Sequence, residues 1–239
     1  MIPKKIHYCW FGGNSLPEDA KKYIKTWKKY CPDYEIIEWN EKNFDVNCCP
    51  YVKEAYESKK WAFVSDYARF YILYKHGGIY FDTDVELIKP IDEIVSRGAF
   101  MGLESEKPIM VAPGLGLGAA AGLPIYKEIL DFYNKRHFVN DCGEFDTTTV
   151  VVNVTNILKL NGLKNKNIIQ NVRDIYVYPV EYFCPKSFDS GKLNITENTY
   201  SIHHFNGSWL TPWMSFRHKI KRILVNIVGK NDKYFEKRI

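Results

Sequence analysis

No CxxC pair occurs in the 239-residue chain. Its six cysteines, Cys9, Cys31, Cys48, Cys49, Cys142 and Cys184, are scattered, and adjacent Cys48 and Cys49 are poorly spaced for a structural zinc site. Reduced thiols are expected. No run approaches the roughly 18 apolar residues of a membrane-spanning helix, and the segment from Met1 to Tyr8 lacks the apolar core of a secretory signal. These absences point to a cytoplasmic protein, peripheral at most on the inner face of the cell membrane. There is no internal repeat and no low-complexity tract. Net charge is small, +5, and much of the excess lies in the last stretch, from Arg217 to Arg238. A nucleic-acid binder would spread basic residues along a recognition element, so no nucleic-acid partner is expected.

What is present is an ordinary globular composition, 46% hydrophobic and 26% charged, with 17 Tyr and 6 Trp available for cores and for stacking against bases or sugars. The length suits one sizeable α/β domain. We read residues 1–212 as that domain, with a first half to about residue 105 and a second over 106–212, followed by a tail, 213–239. The tail alternates Trp213, Met214, Phe216, Ile220, Ile223 and Leu224 with Arg217, Lys219, Lys221 and Arg222. That pattern predicts a basic amphipathic helix suited to an anionic membrane surface.

Ile6 to Phe11 reads as a strand that stops at Gly12-Gly13, and Pro17 opens a helix over 18–30 that Pro32 ends. Tyr34 to Trp39 is strand-like, and Asn40 is placed to cap the element after it. Strand, helix and strand in so short a span predict a βαβ unit and a parallel sheet. Trp61 to His76 is apolar around most of a helix and ends at Gly77-Gly78; Ile79-Tyr80-Phe81 then leads as a strand into Asp82-Thr83-Asp84. Further expectations are a strand near 99–103, helices near 124–134 and 149–160, and strands near 175–178 and 200–205. Gly114-x-Gly116-x-Gly118 reads as a loop able to close over a ligand. Asp146 with Thr147 to Thr149 is placed either to approach an acceptor or to cap the helix after it, and capping is the reading preferred.

If the strand continues, alternation puts the carboxylates of Asp82 and Asp84 on one side, where two like charges need a cation. Mg²⁺ and Mn²⁺ take such oxygen ligands and share themselves with substrate phosphates, which fits a diphosphate donor. Asp66 and Arg69 lie at i and i+3 in an otherwise apolar helix, where two charges must pair with each other or meet a polar ligand.

The run Ser65-Asp66-x-x-Arg69-x-x-x-Leu73-x-x-x-Gly77-Gly78-Ile79-Tyr80-x-Asp82-x-Asp84 resembles the DxD sugar-binding region of family 32 glycosyltransferases, which include Och1-like mannosyltransferases and bacterial capsular polysaccharide enzymes. Ile6 to Gly12 resembles that family's first strand, Lys89-Pro90 its continuation after the dyad, and Ile202-His203-His204-Phe205-Asn206-Gly207-Ser208-Trp209 its closing segment. The resemblance implies a GT-A type fold, a Rossmann-like, mainly parallel sheet flanked by helices. It also implies a retaining, metal-dependent hexosyltransferase using Mn²⁺ or Mg²⁺, a UDP-sugar or GDP-sugar donor with UDP slightly preferred, and a glycan or lipid-linked glycan acceptor in surface polysaccharide synthesis. By position, Trp10, Asp66, Arg69, Tyr80 and Asp82 would bind donor, and Asp82, Asp84 and His204 would hold the metal, with His203 facing away. No residue announces itself as a nucleophile. The alternatives are a metal-dependent phosphatase, whose D-x-D-x-Thr or Val pattern fails at Glu86, and a non-catalytic, membrane-tethered sugar-binding module.

Overall fold

The computed structural model describes residues 1–188 and 190–206. The expected amphipathic tail, 213–239, lies outside the described residues. In chain order the elements are β1 (Lys5–Cys9), α1 (Glu18–Tyr30), β2 (Glu35–Trp39), α2 (Pro50–Glu57), α3 (Trp61–His76), β3 (Gly78–Tyr80), β4 (Val85–Leu87) and α4 (Asp92–Arg97). They continue with β5 (Ala99–Glu106), β6 (Ile109–Val111), β7 (Leu117–Ala119), α5 (Pro124–Asn134), α6 (Val150–Leu160), β8 (Gln170–Val172), β9 (Ile175–Tyr178), α7 (Val180–Phe183) and β10 (Ser201–His203).

The main sheet has the order β2-β1-β3-β7-β5-β9-β8, with β6 added to β5. Strands β2, β1, β3, β5 and β9 share one direction; β6, β7 and β8 run against it. This is the expected α/β architecture, a mainly parallel sheet flanked by helices, with antiparallel strands inserted at β7 and along one side. The first crossover is the predicted βαβ unit: β1 and β2 pair in parallel from Lys5–Glu35 to Cys9–Trp39, and α1 connects them. Helix α1 carries Ala20, Tyr23 and Trp27 on its buried face, Glu18 and Asp19 in its first turn and Lys28 and Lys29 in its last, so both ends complement the helix dipole.

Two apolar clusters fill the two sides of this sheet. One gathers α2, α3, α5 and α6 around Tyr51, Phe70, Tyr126 and Tyr133; the other gathers Trp27, Phe81, Phe100, Tyr178 and Phe183. Helix α3 is buried by both its length and its composition, and its end is fixed by the glycines after it. Gly77 and Gly78 have φ of +62° and +106°, and a Cβ on Gly78 would lie 2.9 Å from His7 Nε2. Only glycine permits that turn and that approach together. The β3 strand therefore starts hard against β1, parallel to it, and delivers residues 81–84 to the C-terminal edge of the sheet.

Three expectations are corrected by the fold. Asn40 does not cap a helix: its carboxamide accepts from Lys42 N–H and its carbonyl from Phe44 N–H, closing a turn well before α2. The Gly114-x-Gly116-x-Gly118 run is not an open loop. Residues 113–115 form a buried 3₁₀ turn and Leu117–Ala119 is β7, between β3 and β5. Thr149, not Asp146, caps α6, accepting from Val152 N–H, while Asp146 pairs with Arg136.

Candidate active site

β1, β3 and β5 end on one edge of the sheet, and β7, running the other way, begins there. In open α/β sheets this carboxyl edge is where ligands bind. Past the end of β3, Asp82 and Asp84 occupy a tight turn rather than a strand, with Val85 N–H donating to Asp82 O at 3.1 Å. Strand alternation is thus not what brings the two carboxylates together; the turn does. Next to them lies His203, whose Nε2 is 3.0 Å from Asp84 Oδ1. One ligand atom each from Asp82, Asp84 and His203 fall within 4.8 Å of one another.

His204, the expected ligand, points elsewhere. Its Nε2 is 2.8 Å from Glu86 Oε2 and its ring stacks on Tyr23 at 4.4 Å between centroids. The physical reason is the pairing of β10 with β4: His203 lies opposite Val85 at the strand's last position, and His204 leaves the ladder with its N–H on Asp84 O. His204 therefore stands outside the group of three that could hold a metal, and His203 stands in it. Burial pushes the Asp84 carboxyl up, but the His203 charge and the Asn206 N–H donated to it outweigh that and hold it down at about 2. The histidine in turn is shifted up, since Asp84 outweighs its burial. The Nδ1 of His203 is buried without a hydrogen-bond partner among the described residues. Two carboxylates and an imidazole nitrogen make a donor set that fits Mn²⁺ or Mg²⁺, with Mn²⁺ favoured by the nitrogen.

Behind the dyad is a buried charge network. Arg69 Nη2 is 2.9 Å from Asp66 Oδ1 and 3.4 Å from Asp82 Oδ1, and the side chains of Arg69 and Asp66 are 5% and 10% exposed. Arg69 also sits over the Tyr80 ring at 5.0 Å, and Tyr80 OH donates to Asp82 Oδ1 at 3.0 Å. Burial, reinforced by Asp82 and opposed by Arg69 and the Val150 N–H, pushes the Asp66 carboxyl up to about 7. One guanidinium is thus shared between two carboxylates. Tyr80 is 1% exposed, so its place among donor-contacting residues is corrected: it acts on Asp82 from beneath.

Trp10 follows β1 at the same edge, partly buried, its indole N–H donating to Asn14 O at 2.7 Å. Gly114 packs directly on Asp82. Its carbonyl accepts Asp82 N–H at 3.0 Å, and a Cβ at this position would overlap the Asp82 carboxylate. In the sequence only the Gly-rich spacing hints at that contact. Glu104, near the end of β5, is a further residue that sequence reasoning passes over; its signal is an acid placed directly after the apolar run 99–103.

A mainly parallel α/β sheet with an aspartate dyad at its carboxyl edge, a buried Asp–Arg pair behind it and a histidine from a closing strand is consistent with a GT-A type glycosyltransferase fold. Residues 17–101 match the family described as a glycosyltransferase sugar-binding region containing a DXD motif, and that match, with the mannosyltransferase relatives, supports a glycosyltransferase family 32-like assignment. It is 30% identical over 133 residues to inositol phosphoceramide mannosyltransferase 3 of Schizosaccharomyces pombe, covering 54% of this chain and 36% of that one. An uncharacterized glycosyltransferase of Acanthamoeba polyphaga mimivirus is 26% identical over 200 residues, covering 78% of this chain and 77% of its own. A solved glycosyltransferase involved in glycosylating the major capsid of PBCV-1 aligns at TM-score 0.48 and 12% identity, covering 92% and 99% of the two chains. The chain spans about a third of the length of the yeast mannosyltransferases it matches.

Proposed function

We propose that the protein transfers a sugar, with retention, from a nucleoside-diphosphate sugar to a glycan or lipid-linked glycan acceptor, as in surface or capsular polysaccharide synthesis. A UDP-sugar is the slightly preferred donor and a GDP-sugar the alternative. The observation that carries this reading is the convergence of Asp82, Asp84 and His203 at the sheet edge, with Arg69 fixed behind them.

In this reading Asp82, Asp84 and His203 hold Mn²⁺ or Mg²⁺, which when bound offsets the charge that develops on the departing diphosphate. Asp82 is aimed by three groups: the Arg69 guanidinium, the Tyr80 hydroxyl and the backbone of Gly114. Trp10, at the neighbouring strand end, offers an apolar face to the base, and Asp66 and Arg69 set the polar floor on which donor hydroxyls rest. With no residue marked as a nucleophile, front-face attack by the acceptor is the simplest retaining route. No helix among the described residues is long and apolar enough to cross a membrane. A lipid-linked acceptor would then be reached from the surface, with the basic tail as the proposed contact.

The test is a thermal-shift panel of UDP, GDP and their sugars with and without Mn²⁺, followed by donor turnover. Stabilisation that requires both nucleotide and metal is expected, because a ligand bound only by the folded state raises Tm. Full turnover by EDTA-treated enzyme, or by an Asp82→Asn, Asp84→Asn double variant, would end the metal-dependent reading.

A further inference from the structure

The β5 strand carries an irregularity at the site. Leu103 pairs with Val111 and Ser105 with Met110, so β5 advances two residues where β6 advances one, and Glu104 is the extra residue. Bulges of this kind re-aim a side chain and are enriched beside active sites. The register across the sheet locates it. Tyr80, Leu117 and Met101 stand level on β3, β7 and β5. Asp82 lies two residues beyond that level and Glu104 three, so both overhang the same edge, separated by two strand spacings, roughly 10 Å. Phe100 belongs to the apolar cluster on one side of the sheet and Gly102 packs on Phe183 there, whereas Met101 and Leu103 belong to the other. Strict alternation lapses at the bulge, and Glu104 lies near His203, whose charge acts on it, and near Cys184, whose thiol it raises.

The Glu104 carboxylate is half-buried and accepts no hydrogen bond from the described residues. Burial pushes it up, and the His203 charge acts the other way. A partly exposed carboxylate that meets no protein donor is left to water or to a ligand.

We propose that Glu104 is a substrate-binding residue that accepts a hydrogen bond from a sugar hydroxyl across the site from Asp82 and Asp84. This rests on the glycosyltransferase reading above. The hydroxyl belongs either to the transferred sugar or to the acceptor, and the two sources separate kinetically. A charged hydrogen bond of about 1.5–3 kcal/mol corresponds to roughly 10- to 100-fold in affinity.

The experiment compares wild type with Glu104→Gln and Glu104→Ala. It measures Mn²⁺-dependent UDP and GDP affinity by calorimetry, donor hydrolysis without acceptor, and transfer with acceptor. Expected is unchanged nucleoside-diphosphate and Mn²⁺ affinity with a rise of about 10-fold or more in one KM, less for Gln than for Ala. A raised donor KM in hydrolysis assigns the transferred sugar; a raised acceptor KM alone assigns the acceptor. Both KM values unchanged in folded variants would overturn the proposal, as would a loss of Mn²⁺ affinity with KM intact, since that marks a carboxylate serving His203. A wild-type protein that binds no nucleoside diphosphate and consumes no nucleotide sugar refutes the glycosyltransferase reading and this one with it.

Discussion

His203 Nε2 lies 3.0 Å from Asp84 Oδ1, while the next residue, His204, is turned to Glu86. Two adjacent histidines thus have separate tasks. His203→Ala should weaken Mn²⁺ binding by about tenfold or more. His204→Ala, which removes a stacked and paired ring at the periphery, should leave Mn²⁺ affinity within a few fold and lower Tm slightly. Mn²⁺ titration monitored by calorimetry distinguishes them, and equal losses in the two variants would return His204 to the metal group.

Arg69 compensates two carboxylates, Asp66 and Asp82, from a nearly buried position. Replacing it by Met keeps much of the volume but leaves buried Asp66 and half-buried Asp82 without a counter-charge, a loss on the order of 3–5 kcal/mol. Urea unfolding should therefore show Arg69→Met strongly destabilised, and Asp66→Asn added to it should recover part of the loss. If the double variant were no more stable than the single one, the two residues would not be coupled.

The segments legible in the sequence are those whose signals are local. Helices α1, α3 and α5 begin and end where proline, glycine and apolar spacing place them, because each break is written in the residues themselves. Helix α2 carries a weaker mark: it is eight residues long, and although Pro50 opens it, Cys49 caps it without a side-chain bond and no acid stands in its first turn. The β7 strand reads as a loop because its glycines are there to admit the Phe81 and Phe100 rings, which are distant in sequence. The choice between His203 and His204 fails for a similar reason. Alternation tells which residues of a strand share a face, but which face meets the aspartates depends on the pairing of β10 with β4. The dyad itself converges as expected through a different device, a turn instead of an extended strand.

Gly114 offers a test of how tightly Asp82 is held. A methyl group there would meet the Asp82 carboxylate and come within 3.3 Å of Arg69 Nη1. Gly114→Ala should therefore displace Asp82 and cost about 1–3 kcal/mol from overpacking. Metal-dependent nucleotide binding should fall more than Tm does. An alanine variant with wild-type Mn²⁺ affinity would show that Asp82 does not need this backing.

His7 supplies a pH dependence that is independent of the site's chemistry. It is fully buried, accepts the Trp39 indole N–H at Nδ1, 3.0 Å away, and its Nε2 is 3.0 Å from Gly77 O, so the neutral ring with hydrogen on Nε2 satisfies both partners. Protonation would set a second N–H against that of Trp39. Burial, opposed by the Gly77 bond and aided by His76 and Lys5, lowers the histidine to about 4 from an ordinary value of 6.5. Between those two values the unfolded chain binds more protons than the folded one, so stability rises with pH there. The contribution is fully present above about pH 6.5 and is lost as pH falls toward 4, on the order of 3 kcal/mol in all. Because carboxylates titrate in the same range, the readout is a difference between two proteins. Wild type and His7→Gln are unfolded in urea at intervals from pH 7 to 4. The variant is expected to be less stable at pH 7 but to lose less on acidification, so the two curves converge. Parallel curves would show that His7 is not held neutral by its buried partners.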